Sequence, residues 1–569
     1  MRTFIRTSAL FLILGLLFSM PASADTAGQQ VTFNVNNQFD QNNRSSLTAT
    51  LRYAGSKSYM YVDDSYWQGL SQFGQSQLLA GIQSLAQEFD NRIYPTSTAF
   101  WGSENNPGVD NDSHITILLE EMKSGYGGYF DNLHSYPRSQ APDSNQREMI
   151  FISARAIGGG SENEFLTHEF QHLVAHNQKE LLRKATDPVW INEMRSEYAA
   201  TLLGYNDPFL NSNLDRRTRT FLQNPSDGLT DWPNESRDYA VVNVFADYLA
   251  GRYGAKIFSD SLKSNATGIA SLNTFWSANG YSERFTNVFA DWMVATFLNK
   301  PGDIRFGYNN KLKTLHVLPQ FTDSIAAGGS SATSLSLKPW QPMWFSYTSL
   351  QSDQAVKLEI TSSAPLLLPY VVFYTDGSQD IITPTEFTGT KTLYARTNGK
   401  QIQRVVVAAS PVGSLPEVSN ETSQQVSVRV SLVNDSAVLE PTPTLIPSVQ
   451  PNALVNGALI KRRGFETEVY VIEGKYKRFL RSEIIALYGH LKNVQPLEVD
   501  DAVFNSYTTA NYVRDVNQEK VYAIWPDGTK HWLRMTGEYF FQSGRDWGSI
   551  FVINDLEFNS YRTGPDITR

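Results

Sequence analysis

The sequence predicts a multidomain chain: an α+β domain with a β-rich N-terminal lobe and a helical C-terminal lobe, a β-sandwich, and two small tandem β-rich repeats. Three observations carry this. At 569 residues the chain exceeds what one hydrophobic core supports. Beyond about residue 330 the apolar pattern turns to alternation, as in "AVKLEI", "RVVVAAS" and "QQVSVRVSLV". Finally, "VYVIEGKYKRFLR…FNSY" at 469–507 returns as "VYAIWPDGTKHWLR…FNSY" at 521–561, with offsets of 52, 53 and 54 between matched positions.

The first 24 residues stand apart. Arg2 and Arg6 precede the apolar run "ALFLILGLLF", and "SMPASA" follows with small residues at Ala22 and Ala24. That is the pattern of a secretory signal peptide cut before Asp25. The apolar run falls short of the roughly 20 residues a membrane span needs. The protein is therefore expected to be secreted, extracellular or held at a cell surface, with no transmembrane span after signal cleavage. The chain has no cysteine, which excludes disulfides and a thiol nucleophile. A formal charge of −9 with no basic run argues against nucleic acid as a partner.

The elements follow in order. "VTFNV", "SYMYVD", "HITILL" and "REMIFIS" read as strands, and "GQSQLLAGIQSLAQEF" as a helix with apolar residues at three and four. "SGYGGYFD" reads as a glycine-loosened edge segment. From Ser161 the pattern is helical, with Ser161 and Glu164 spaced as a capping box. Further helices are expected at 190–204, 238–253 and 283–299. The last has a core-facing stripe of Phe285, Val288, Phe289 and Trp292. The boundaries expected are 25–325 for the α+β domain, 330–435 for the sandwich, 436–452 for a stiff proline-rich linker, and 453–569 for the repeats.

Chemistry concentrates in "FLTHEFQHLVAHNQKE". His168 and His172 are four apart, so on a helix both imidazoles face one side and can reach one zinc ion. Glu169 stands where it can take a proton from activated water and pass it to a leaving amine. This is H-E-x-x-H, which needs a third ligand. "WINEMRSEY" supplies Glu193, which follows His172 by 21 positions. Glu197 lies one turn further on the same face, placed to accept from a ligand imidazole. His176 continues the stripe but lies too far along the axis to share the ion. Asp110 and Asp112 offer a calcium site, although turn residues and strand caps describe them better.

"HEFQHLVAHNQK" followed by "WINEMRSE" resembles the gluzincin metallopeptidases, and among them the hyicolysin-like secreted zinc peptidases, over about residues 50–300. The resemblance implies a zincin-like fold and a zinc endopeptidase acting on polypeptides. His168, His172 and Glu193 would then be ligands and Glu169 the catalytic base. The hyicolysin-like family often has an apolar residue where Glu197 stands, so its role rests on thermolysin-type relatives. Tyr239 in "RDYAVVNVFADYL" resembles the oxyanion-holding tyrosine that opens the equivalent helix in aminopeptidase-type gluzincins, or is simply a packing tyrosine. An extended peptide would pair with the strand edge, for which "SGYGGYFD" is the candidate.

Two alternatives accompany this reading: a peptidase directed at murein cross-links, and an inactive adhesion or scaffold protein with a peptidase fold. The intact set His168, Glu169, His172 and Glu193 speaks against the second. In the repeats, "KYKRFLR" and "TKHWLR" would meet a wall polymer or glycan, or else form a solvated face.

Overall fold

The computed structural model describes residues 24–568, except 282, 301, 309, 326–328, 350–353, 416, 418–420, 435–455, 463–467, 489–490, 492–493, 495, 500, 517 and 526. The signal-peptide pattern, apart from Ala24, and the proline-rich linker lie outside the described residues. The chain divides into two compact units. The first draws on Met1–Gly268, Asn299–His316 and Pro416–Asn420, the second on Ile269–Leu298, Val317–Leu415 and Glu421–Arg569.

In the first unit the described residues form one six-stranded sheet. Its strands are β1 (Gln30–Asn34), β2 (Ser46–Ala54), β3 (Ser58–Asp63), β4 (Ile115–Glu120), β5 (Gly128–Tyr129) and β6 (Met149–Ser153), in the order β1-β2-β3-β4-β6-β5. β3, β4 and β6 run parallel and are buried along their whole length, which is why they read as unbroken apolar runs. β5 pairs antiparallel with β6 and forms the sheet edge.

The helices of this unit are α1 (Asp64–Gly69), α2 (Gln72–Glu88), α3 (Tyr94–Trp101), α4 (Glu162–Ala175), α5 (Val189–Leu202), α6 (Asn213–Gln223), α7 (Ser236–Tyr253) and α8 (Lys256–Leu262). α4 packs on β5, β6 and α5, while α7 packs on α5 and α6. The capping box expected at the start of α4 does not form. Ser161 has φ −109° and ψ −1° and makes no side-chain cap bond, whereas a capping residue is normally extended. Glu164 instead accepts from Arg216 Nη2 at 2.9 Å, a charge-assisted bond stronger than one from a backbone amide.

The second unit contains α9 (Gly268–Ala278) and α10 (Phe285–Leu298). Phe285, Val288, Phe289 and Trp292 of α10 are all buried, as their spacing predicts. Phe285 meets Trp340 edge-on at 4.8 Å, and Trp344 Nε1 donates to Met293 O at 2.9 Å. These contacts group α10 with the β-rich region, although the sequence places it before the boundary at 325.

Nine strands follow among the described residues: β7 (Phe321–Ile325), β8 (Ser330–Leu337), β9 (Met343–Ser349), β10 (Gln354–Leu367), β11 (Tyr370–Tyr374), β12 (Gln379–Ile382), β13 (Phe387–Ala395), β14 (Ile402–Pro411) and β15 (Gln424–Asn434). β13-β10-β15-β8 and β12-β11-β14-β9-β7 are joined where Leu366 and Leu367 pair with β14. Residues of both layers, such as Leu358, Val430, Val407 and Phe345, share one core.

Last come two five-stranded sheets. The first has β16 (Leu459–Arg462), β17 (Val469–Glu473), β18 (Tyr476–Leu480), α11 (Ser482–Ile485), β19 (Leu497–Val499), α12 (Asp501–Ser506) and β20 (Thr508–Thr509). The second has β21 (Tyr512–Asp515), β22 (Val521–Ile524), β23 (Thr529–Trp532), α13 (Gly537–Gln542), β24 (Ile550–Ile553), α14 (Asp555–Ser560) and β25 (Arg562–Thr563). Their orders, β19-β16-β17-β18-β20 and β24-β21-β22-β23-β25, are the same topology. Equivalent lysines hold equivalent posts: Lys477 Nζ donates to Phe504 O at 2.8 Å and Lys530 Nζ to Phe558 O at 2.6 Å. No described helix is long and apolar enough to cross a membrane.

Candidate metal centre

Two helices deliver the converging donors. His168 and His172 sit one turn apart on α4, with their Nε2 atoms 3.1 Å from each other. Glu193 of α5 brings Oε2 within 3.1 Å of His168 Nε2 and 3.4 Å of His172 Nε2. Donors on a tetrahedral ion at about 2.0–2.1 Å lie roughly 3.3 Å apart, so these edges are those of one face of a zinc tetrahedron. Among the described residues this is the one group of three or more such side chains close enough to share a metal.

The outer ring nitrogens support the fit. Ser196 Oγ donates to Gln171 Oε1 and lies 3.1 Å from His172 Nδ1, so it accepts from Nδ1–H. His168 Nδ1 faces Glu197 Oε1 at 3.8 Å, too long for a hydrogen bond but favourable for an N–H. With their Nδ1 protons held on the outer side, both imidazoles can turn an Nε2 lone pair to a metal, while a proton on His168 Nε2 bridges it to Glu193 Oε2 in the metal's place.

Electrostatics follow from burial and from these partners. Burial alone would lower the His168 imidazole, but the bond to Glu193 and the carboxylates of Glu169 and Glu197 carry it up to about 9. Burial raises the Glu169 carboxyl, and the opposing pull of His168 and His172 offsets only part of this, so it stays raised. Glu193 overcomes its burial and is held well below the usual carboxylate range by the two imidazoles. Glu197 does the same chiefly through Arg217. It accepts from Arg217 Nη2 at 2.7 Å, Asn213 Nδ2 at 2.7 Å and Asn243 Nδ2 at 2.7 Å.

The centre opens into a cleft of about 810 Å³. β5 lines one wall through Gly128 and Tyr129, and Glu169 lines the same space. Gly128 has no side chain to spare: a Cβ there would lie 2.9 Å from Glu169 Cγ. Trp232 and Tyr239 line the cleft too. The Tyr239 hydroxyl donates to Asn234 Oδ1 at 3.0 Å, and the Arg217 guanidinium sits 4.7 Å from its ring centroid. Burial and the carboxylates of Glu193, Glu197 and Glu169 push the hydroxyl well above its ordinary range, so it stays a proton donor.

The other singled-out residues lie elsewhere. His176 is buried in a π-helical turn (His176–Leu181), with Nδ1 3.0 Å from Glu180 Oε2. Asp110 accepts from Asp112 N, while Asp112 accepts from His114 N and from the Tyr59 hydroxyl. These are turn and cap bonds made with the chain's own donors. Sequence reasoning missed Ser196, Arg217, Asn213 and Asn243. Ser196 was findable, being three residues after Glu193 on the same helical face, whereas the others lie on α6 and α7 with no local signature.

No family model matches the chain. In sequence it is similar to the neutral metalloprotease ShpI of Staphylococcus hyicus, with 26% identity over 258 residues, covering 41% of this chain and 54% of that protein. The chain thus aligns with about half the length of that relative. Among solved structures, the pre-peptidase C-terminal domain of a collagenase from Bacillus anthracis aligns with 20% of this chain and 98% of its own at 7% identity, with a TM-score of 0.14. A GH115 4-O-methyl-α-glucuronidase aligns with 56% of this chain and 51% of its own at 9% identity, with a TM-score of 0.13. Scores this low carry no argument. The sequence relationship to a metalloprotease stands beside the geometry of the centre.

Proposed function

We propose that the chain is an exported zinc-dependent endopeptidase of the zincin type that hydrolyses polypeptides. The observation that carries this reading is the convergence of His168, His172 and Glu193 with Glu169 in one cleft. His168 Nε2, His172 Nε2 and Glu193 Oε2 would hold the ion. When bound, zinc polarises a carbonyl oxygen and makes water more acidic.

The protein's own groups do the rest. Glu169, buried with a raised carboxyl, takes a proton from the attacking water and delivers it to the departing amine. Tyr239 keeps its hydroxyl proton and offers it to oxygen that becomes negative during attack. The open edge of β5 provides main-chain groups to hold an extended peptide beside Glu169.

The test is Glu169→Gln assayed on an unfolded protein substrate, with metal analysis of the same sample. Zinc stoichiometry should match the parent while cleavage is lost, and chelation should silence the parent until zinc is restored. A variant that cleaves as well as the parent removes Glu169 from the role of base.

A further inference from the structure

We propose that the chain associates head to tail with second copies of itself through the outer faces of its two C-terminal repeats. The template is the contact the repeats make with each other. Leu459, Tyr476 and Leu480 of the first repeat share a core with Val513, Phe551 and Phe558 of the second. One face of the first repeat therefore covers a different face of the second.

Strand register establishes the equivalences. Leu459 pairs with Val471 as Tyr512 pairs with Ala523, and Ile460 pairs with Leu497 as Val513 pairs with Phe551. The face the second repeat gives to this contact, with Val513, Phe551 and Phe558, thus corresponds to Ile460, Leu497 and Phe504 of the first. The face the first repeat gives, with Leu459, Val471 and Leu480, corresponds to Tyr512, Ala523 and Leu533 of the second. Ile460 and Phe504 belong to a separate core within the first repeat, and Ala523 and Leu533 to another within the second. The inner contact uses one copy of each face; among the described residues the other two copies, whose Ile460, Phe504, Ala523 and Leu533 are buried within their own repeat, meet no third repeat.

Exposure marks both ends. Leu497 is 53% exposed, whereas its counterpart Phe551, covered by the first repeat, is 5% exposed. At the other end Phe541 is 67% exposed, next to the buried Phe540 of the second repeat's core. Ile567 bridges to Leu533 and leaves Phe541 uncovered. Terminal units of stacked repeats normally carry polar outer faces, whereas each of these ends exposes a large apolar side chain, Leu497 and Phe541.

The polar groups raise no objection. Inside the chain the contact buries Arg478 against Glu557, at 2.6 and 3.2 Å. At the outer faces the equivalent positions are His531 and Val503. His531 is within 2.7 Å of Thr529 Oγ1 and 2.8 Å of Pro565 O, so stacking would strand no unpaired charge. Because the two faces differ, the contact is heterologous and can extend beyond a dimer.

The test is sedimentation velocity of the full chain from low to high micromolar concentration, with Leu497→Glu and Phe541→Glu, both exposed positions. The parent should form dimers and longer species as concentration rises. Each variant alone should remain monomeric, because one end is blocked. Their equimolar mixture should give a species of twice the chain mass and none larger. A parent that stays monomeric, a variant that associates alone, or a mixture that does not associate would each overturn the proposal.

Discussion

Gly128→Ala adds one methyl group at the place where the sheet edge meets the proposed base. A Cβ at this position would stand 2.9 Å from Glu169 Cγ, 2.8 Å from Phe151 O and 3.0 Å from Ile152 Cδ1. Carbon atoms rest about 3.5–4.0 Å apart, so Glu169 Cγ has to retreat by about 0.6–1 Å unless β5 lifts instead. Phe151 O belongs to the backbone of β6 and gives least, so β5 shifts away from it, and this edge and the Glu169 side chain share the displacement. A misplacement of about 1 Å costs up to roughly 100-fold in rate, which sets the expected fall in kcat at about 10- to 100-fold, or about 1.4–2.7 kcal/mol. Steady-state kinetics with metal analysis provide the assay, and Gly69→Ala, where a Cβ meets nothing within 4 Å, is the control. Zinc content should stay at the parent level. A Gly128→Ala enzyme with parental kcat would show that the close approach does not set the position of Glu169.

Three further outcomes follow from the same geometry. Ser196→Ala removes the partner of His172 Nδ1 and should weaken zinc binding about 10- to 100-fold, read by competition with a chromophoric chelator. Arg217→Gln leaves the buried Glu197 without its guanidinium and should cost about 3 kcal/mol, at the low end for a buried pair because Arg217 is partly exposed; urea denaturation measures it. Glu120, pushed up to about 8 by burial and by Asp40 and Asp63 against the Tyr129 hydroxyl and Arg44, binds its proton more tightly folded than unfolded. Stability should therefore fall as pH rises from about 4.5 to 8 and level off above that. Glu120→Gln should remove a loss of about 3–5 kcal/mol, seen as a flatter dependence of unfolding free energy on pH.

The donor cluster was legible because its spacing is local geometry. Four residues make about one helical turn, so His168 and His172 face one side whatever surrounds them. Glu193 required the further assumption that a second helix returns beside the first, and α5 does so. The groups around Glu197 were not legible. Asn213, Arg217 and Asn243 reach it across 16, 20 and 46 residues, and only packing decides which side chains end there. The capping box failed for a related reason: Ser161 and Glu164 have the right spacing, but a guanidinium from α6 took the carboxylate. Alternation pointed to the strands beyond residue 330 and self-similarity to the two like sheets, yet neither pattern shows that Trp340 and Trp344 draw α10 into the second unit.

The centre also depends on residues that never touch it. Glu193 can meet the imidazoles only if α5 holds its place against α4, and a polar knot near both helices does this. Lys179, just beyond α4, donates to the carbonyls of Ser261, Ser264 and Ala266 at 2.7–3.1 Å. Arg195, two residues after Glu193, binds Asp187 Oδ2 at 2.7 Å and Ser261 Oγ at 3.1 Å. Both helices are thereby pinned to the end of α8. Buried charges of this kind contribute little net stability, since desolvation offsets their attraction. Apolar substitutes could fill the same space, but they could not fix one rotation of α5 about its axis. A donor that must find three carbonyls and a guanidinium that must find one carboxylate admit few alternatives. For a cluster whose donor edges agree with a tetrahedron to within a few tenths of an ångström, that restriction matters more than the free energy of the knot itself.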